Sequence, residues 1–478
     1  MIYQLLRQLI RLVTHLFFRR IEVSGLENIP SEGALIFFGN HPNSLLDPAL
    51  IIANAERSLA FAANDQLFQS RLLSVVMRNL GAVPVRRHMD HPDGRLDNHS
   101  AFAQLDAHLV GGGAIGIFPE GLSHDLPSLA ELKTGAARIA VGVARRNKVS
   151  ISLIPCGLHY IRRRRFRSGA LIQFGEPLCL EADPHSWSEA GLIGEEAAAL
   201  ISATAPSENL SEQERVAARA LTARMERSLR ALTVNGESWE TISLLDMIRR
   251  LYQPRRVSLE ERALLAQRFS EHWPSVQHLP AVNQLAGEVA TYQERLSLLG
   301  LRDGELVRNL SAAALAWRGL RHILLILLWL PLTLLGAPVH FPLALILAQI
   351  SQRLAPRKDA IASAKLLGGL LTFGLLYLLT GLVVAHHWGW RAGMVAVFLL
   401  PMSGLATLKA FERGRFLSRL GRQIIFCLRA PETLRALRRE RRRLREEIQA
   451  LVDQLAPPEL ERIFPMKHSS QGSEEEVR

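Results

Sequence analysis

Two stretches of this chain carry no formal charge, residues 366–385 and residues 392–408. A membrane-crossing helix needs about 20 predominantly apolar residues, with about 17 as the lower limit, so both read as spans, near 366–386 and 391–408. Each charge at mid-bilayer would cost about 2.5–3.5 kcal/mol, which makes their absence informative. A short loop, His386-His387-Trp388-Gly389-Trp390-Arg391, joins them. Residues 323–350 are also apolar but are broken by Pro331, Pro338 and Pro342. That segment is long for one span and short for two, so a re-entrant or kinked hairpin is expected at about 322–350. Arg353, Arg357, Lys358 and Lys365 precede the last hairpin, and Lys409, Arg413 and Arg415 follow it. Positive flanks face the cytosol. A hairpin at 322–350 leaves residues 1–320 cytosolic as well; a single span there puts them on the opposite side. The membrane region occupies 317–408.

Far upstream, the apolar run Ala34-Leu35-Ile36-Phe37-Phe38 leads into Asn40-His41-Pro42-Asn43-Ser44-Leu45-Leu46-Asp47-Pro48. A neutral imidazole with a carboxylate on its other nitrogen makes a general base, because the carboxylate fixes the tautomer and stabilises the imidazolium. Pro48 suits the first turn of a helix, where its missing N–H leaves nothing unpaired. Asp47, before a proline, is pushed out of the α region and is expected as an N-cap. The plain alternative is that Asp47 only caps a helix and His41 is a polar loop residue.

Three further apolar runs end in polar turns. They are Gly81-Ala82-Val83-Pro84-Val85-Arg86-Arg87, Ala114-Ile115-Gly116-Ile117-Phe118-Pro119-Glu120-Gly121 and Ile151-Ser152-Leu153-Ile154-Pro155-Cys156-Gly157. Continuous apolar strands separated by helical patterns predict an α/β fold with a buried, mostly parallel central sheet flanked by helices. Such sheets place their sites at strand carboxyl ends, so a base, an arginine pair and a glutamate are expected on one rim.

This set resembles the four motifs of the glycerolipid acyltransferases, membrane enzymes that acylate glycerol-3-phosphate or its 1-acyl derivative. Phe118-Pro119-Glu120-Gly121-Leu122-Ser123-His124-Asp125 with Leu132-Lys133-Thr134-Gly135-Ala136-Ala137, and Phe166-Arg167-Ser168 with Ile172-Gln173-Phe174-Gly175-Glu176-Pro177-Leu178, resemble the glycerol-3-phosphate/dihydroxyacetone-phosphate branch found in fungi. The common motif has four residues between His and Asp; five stand here, another likeness to that branch. Leu122-Ser123-His124 departs from the Thr-Arg-Ser of the lysophosphatidate branch. The resemblance covers roughly residues 30–180.

The resemblance implies that His41 is the base and Asp47 its orienter, with no acyl-enzyme. It makes Arg87 the phosphate clamp, with Arg86 beside it; a planar guanidinium fork matches phosphate in a way lysine does not. Glu120, in the Phe118-Pro119-Glu120-Gly121 turn, would bind glycerol hydroxyls or brace the arginine. Lys133 is a secondary anion contact or a helix-surface lysine, and Pro155 shapes the pocket. No cofactor or metal is implied; acyl-CoA or acyl carrier protein is the co-substrate.

Other polar clusters read more simply. His124 and Asp125 are adjacent and do not face each other, so no second dyad is expected. His88, His91 and His99 belong to a solvated loop rather than a metal site. Arg162-Arg163-Arg164-Arg165 is a phosphate patch or a solvated basic loop.

Leu5, Leu6, Leu9, Ile10, Val13, Leu16 and Phe17 recur at helical spacing, so residues 1–20 are expected as an amphipathic helix on an anionic membrane surface. Packing against the core is the alternative. The acyltransferase domain then runs from 21 to 183. A helical accessory region without recognisable chemistry follows at 184–316, and a basic helical cytosolic tail with a disordered end at 409–478. Residues 409–447 hold 13 Lys and Arg against 5 Asp and Glu. Beside membrane spans, that charge points to anionic headgroups rather than nucleic acid. Docking of an acidic acyl carrier protein is a further reading. The net charge of +12 agrees with an anionic partner. Cys156, Cys179 and Cys427 have neither pairing nor metal spacing.

The sequence thus predicts an integral membrane enzyme, catalytic domain toward the cytoplasm. It would move a fatty acyl group from a thioester to the sn-1 hydroxyl of glycerol-3-phosphate. Acylation of 1-acylglycerol-3-phosphate is the rival reaction, and a non-catalytic membrane scaffold the rival class.

Overall fold

In a computed structural model, residues 2–86, 98–207, 209–254, 257–306, 312–355 and 357–455 are described. The apolar runs become strands, and the central ones, 34–39 and 151–158, are buried on both faces, as a parallel sheet under two helical layers requires; at 83–85 only Val83 is buried. The strands are β1 (Phe18–Ser24), β2 (Ala34–Gly39), β3 (Leu59–Asn64), β4 (Val83–Val85), β5 (Ala114–Ile117), β6 (Ile151–Tyr160), β7 (Ser168–Phe174) and β8 (Leu178–Leu180). They order as β1-β7-β6-β2-β5-β3-β4, with β8 also on β6. All pairings are parallel except β6 with β7 and β6 with β8.

Alternation along β2 distributes its side chains. Ala34, Ile36 and Phe38 face one layer, with α4 (His99–Val110), α5 (Gly135–Asn147), α7 (Glu195–Ala203) and α8 (Glu212–Ala231). Leu35 and Phe37 face the other, with α2 (Leu46–Asn54) and the end of α1 (Ile2–Phe17). Each large side chain fully buried here contributes about 1.5–3 kcal/mol.

The N-terminal helix has two apolar stripes. Val13 and Phe17 are buried in the core, while Leu5, Leu9, Leu12 and Leu16 stay exposed. The helix also stops at Phe17, short of the expected residue 20, because Phe18 starts an edge strand and is itself buried.

The chain divides into two units, 1–235 with 328–410, and 236–327 with 411–478. The expected boundary at 183/184 is therefore displaced. Trp187, Ala198, Ile201, Leu221, Met225 and Leu229 complete the sheet's core, so the helices up to residue 231 belong with it. In the second unit α9 (Trp239–Tyr252) and α11 (Pro280–Leu298) share a core with α16 (Pro431–Leu455), through Leu251, Val289, Tyr292, Leu437, Leu444 and Ile448. The 431–455 part of the basic tail is thus one helix of a bundle; the end expected to be disordered, from 467 on, lies outside the described residues. Arg441 pairs with Asp303 at 2.8 Å, and Arg443 with Glu288.

Among the described residues, three helices are long and apolar enough to cross a membrane: α13 (Ala312–Leu354), α14 (Ile361–Trp388) and α15 (Trp390–Arg429). The hairpin expected at 322–350 is instead one continuous helix with its three prolines inside. Prolines are tolerated in such helices because neighbours re-satisfy the freed backbone groups. A Cβ on Gly336 of α13 would lie 2.5 Å from the Ser403 carbonyl oxygen, so only glycine allows that approach.

Candidate active site

At the carboxyl end of β2, Asn40 reaches across to β6. Its Oδ1 accepts the Leu158 N–H at 2.8 Å and its Nδ2 donates to the Leu158 carbonyl at 3.2 Å. The next residue, His41, is thereby delivered to the rim. Its Nδ1 lies 2.8 Å from Asp47 Oδ2, and Asp47 is fully buried. A carboxylate only accepts, so Nδ1 carries the proton and Nε2 keeps its lone pair, as a general base requires. The ring of Phe118 stacks on the imidazole with centroids 4.0 Å apart.

Phe118 is itself backed by Phe61 on β3, with centroids 5.7 Å apart. Phe61 can lie there because its strand partner is Gly116, where a Cβ would meet the ring at 2.3 Å. Gly116 is in this way a requirement of the ring pair that stacks on His41.

The Asp47 carboxylate is fully engaged. Oδ2 also accepts the Asn43 N–H at 2.6 Å, and Oδ1 accepts the Tyr160 O–H at 2.5 Å. Burial, and then the Asp47 charge, push the Tyr160 phenol well above its usual range, which keeps it a donor. The expected N-cap role does not occur. Helix α2 begins at Leu46, after Leu45, and Asp47 sits in its first turn with its oxygens spent on His41, Asn43 and Tyr160. A negative charge in the first turn still favours the helix. Within the five-residue spacing, Ser44 takes a left-handed φ of 46°.

Glu120 is buried beneath the loop. Its Oε1 accepts the His41 N–H at 2.7 Å and its Oε2 the Ala130 N–H at 2.8 Å; His124 Nε2 also bonds to Oε2. His124 N–H in turn donates to the His41 carbonyl at 3.1 Å. The second histidine thus pairs with Glu120 rather than Asp125, and Glu120 braces the histidine loop. Asp125 receives Arg163 at 2.9 Å and also Arg164, so part of the loop's positive charge is paired within the chain.

Gly121 N–H closes the Phe118-Pro119-Glu120-Gly121 turn onto the Phe118 carbonyl at 3.0 Å, and the Lys133 N–H donates to Pro119 O at 2.7 Å. The exposed Lys133 side chain lies against Gly121. Arg86, at the end of β4, is bracketed by Asn98 and lies 3.9 Å from Asp65. Arg87, His88 and His91 lie outside the described residues; His99 opens α4. Pro155 sits within β6, opposite Phe38.

His41, Asp47, Phe118, Pro119, Glu120 and Gly121 therefore come together, with Lys133 beside the turn. Asn40, Asn43, His124 and Tyr160 join them unannounced. Tyr160 ends the fourth apolar strand, so the strand-end rule that selected His41 would also have found it.

Residues 4–159 match a family model described as Acyltransferase, and residues 244–460 one described as Glycerol-3-phosphate acyltransferase 2 C-terminal domain. Glycerol-3-phosphate O-acyltransferase 2 of Saccharomyces cerevisiae is 25% identical over 61% of this chain and 51% of its own length. The chain therefore spans about half of that relative. An uncharacterized acyltransferase of Schizosaccharomyces pombe is 23% identical over 97% of this chain and 82% of its own. Among solved structures, the 1-acyl-sn-glycerophosphate acyltransferase of Thermotoga maritima aligns with 47% of this chain and 78% of its own, at 22% identity and a TM-score of 0.31.

Proposed function

The chain belongs to the glycerolipid acyltransferase family, and on that premise we propose that it transfers a fatty acyl group from an acyl thioester to the sn-1 hydroxyl of glycerol-3-phosphate. The observation that carries the chemistry is the 2.8 Å bond between His41 Nδ1 and the buried Asp47, which leaves Nε2 as the base. Nε2 takes the acceptor's hydroxyl proton as its oxygen attacks the thioester carbonyl. The new C–O bond forms, the C–S bond breaks, and the imidazolium returns its proton to the departing thiolate. Asp47 stabilises the imidazolium meanwhile, and Phe118 and Glu120 hold ring and backbone still. Arg87 is assigned to the acceptor phosphate by motif position, with Arg86 its neighbour and Lys133 a secondary anion contact. The C-terminal family match supports glycerol-3-phosphate as the acceptor.

We place the catalytic rim on the cytoplasmic side, against an anionic leaflet. Arg357 and Lys365, at the basic junction between α13 and α14, bond to Ser123 and to the Arg164 carbonyl. The rim's side is thus tied to that junction and not to a count of spans, and positive junctions stay in the cytosol. The exposed Leu5, Leu9, Leu12 and Leu16 stripe suits the same surface.

An acceptor panel tests the reading. Membranes containing the protein receive labelled acyl-CoA with glycerol-3-phosphate, dihydroxyacetone phosphate, lysophosphatidate or glycerol. Glycerol-3-phosphate is expected to give the highest kcat/KM and a 1-acyl product. Turnover of lysophosphatidate alone would move the enzyme to the next acylation, and turnover of none would overturn the proposal.

A further inference from the structure

The turn that carries the wide His–Asp spacing is held by a residue more than three hundred positions away, in the first turn of a membrane helix. Ser363 of α14 is buried. Its Oγ accepts the Leu45 N–H at 3.1 Å and donates to the Asn43 carbonyl at 3.3 Å. Asn43 and Leu45 are the two neighbours of Ser44, the left-handed residue of the loop between His41 and Asp47. Asn43 N–H then donates to Asp47 Oδ2, the oxygen that also receives His41 Nδ1. Three hydrogen bonds therefore run from the membrane helix to the imidazole.

A second tether acts on the other side of His41. Just before α14, the buried Asp359 accepts the Ser123 hydroxyl at 2.5 Å, while Arg357 donates to Ser123 at 3.0 Å and lies 3.3 Å from Asp359. Ser123 directly precedes His124, which bonds both Glu120 and the His41 carbonyl. Ala362, between the two tethers, is fully buried in the core beside α2. Both segments packed about His41 are thus fastened to the start of α14 and the residues just before it, while neither Ser363 nor Asp359 has a bond to the imidazole itself.

We propose that Ser363, supported by Asp359, is a positioning residue for the His41–Asp47 pair, so that the membrane helix is a working part of the catalytic device. A strained turn at Ser44 gains its geometry from outside the sheet domain, and a small displacement of a base costs rate steeply. The inference rests on the acyltransferase reading of the same site.

The test uses full-length protein in liposomes. For Ser363→Ala, kcat should fall about 10- to 100-fold while the glycerol-3-phosphate KM stays within about threefold, as expected for misplaced chemistry rather than lost binding. Hydrogen exchange should quicken at the amides of residues 43–47, beginning with Leu45, and remain unchanged in β2 and β6. Asp359→Asn should give a smaller kcat loss of the same kind, and Ser363→Thr should restore both rate and protection. Ser403→Ala, which removes a buried membrane hydroxyl elsewhere, should do neither. Wild-type kcat in Ser363→Ala, a kcat loss without faster exchange, or an equal loss in Ser403→Ala would overturn the positioning role. Full activity of His41→Ala beside a Ser363→Ala defect would instead overturn the assignment of the base.

Discussion

Asp47 is fully buried and takes three hydrogen bonds, and two of its donors, His41 and Tyr160, stand at the ends of different strands, β2 and β6. The bond from the phenol shapes the carboxylate that shapes the imidazole. Tyr160→Phe keeps the ring and its packing but removes that donor. A hydrogen bond to a charged group contributes about 1.5–3 kcal/mol, so kcat should fall about tenfold with KM little changed; unaltered kcat would make Tyr160 a bystander. His41, Asp47, Phe118 and Glu120 were legible in the sequence because they stand at strand ends beside turn residues. The brace role of Glu120 and the pairing of His124 were not, because they depend on how two loops fold over one another. Ser363 left no local signal: its neighbours read as the flank of a span.

Among elements, β6 and the end of α8 meet at His159, whose Nε2 donates to the Leu232 carbonyl at 2.7 Å. Burial holds this imidazole at about 4, below its usual 6.5. The unfolded chain takes up a proton near pH 6.5 and the folded one only near 4, so the unfolded state binds more protons between them. Stability contributed by the neutral ring is therefore intact above about pH 6.5 and lost as pH falls toward 4. Thermal inactivation in detergent should move to lower temperature across that window, and His159→Gln should flatten the dependence. An identical slope in both proteins would show that other groups set it. Strand positions were legible from apolar runs bounded by turns. The state of residues 312–354 was not, because prolines that end a helix in water are accommodated in a membrane helix with neighbours to satisfy the backbone.

For the whole molecule, periodicity announced helices after residue 184 without saying what they cover. Glu212–Ala231 and Trp239–Tyr252 carry similar amphipathic patterns, yet one completes the sheet's core and the other joins a bundle with Pro431–Leu455. The basic run near the C-terminus was read as a headgroup patch, and part of its charge is spent on Asp303 and Glu288 inside that bundle. At this scale the first unit joins a sheet rim carrying His41 and Asp47 to the first turn of α14, a helix long and apolar enough to cross a membrane. The most direct measurement compares wild type with His41→Ala in anionic liposomes, following transfer of a labelled acyl group from acyl-CoA to glycerol-3-phosphate. A general base at His41 predicts a fall in kcat of about 10²- to 10⁴-fold with the protein still membrane-bound. Unchanged turnover in the variant would contradict it.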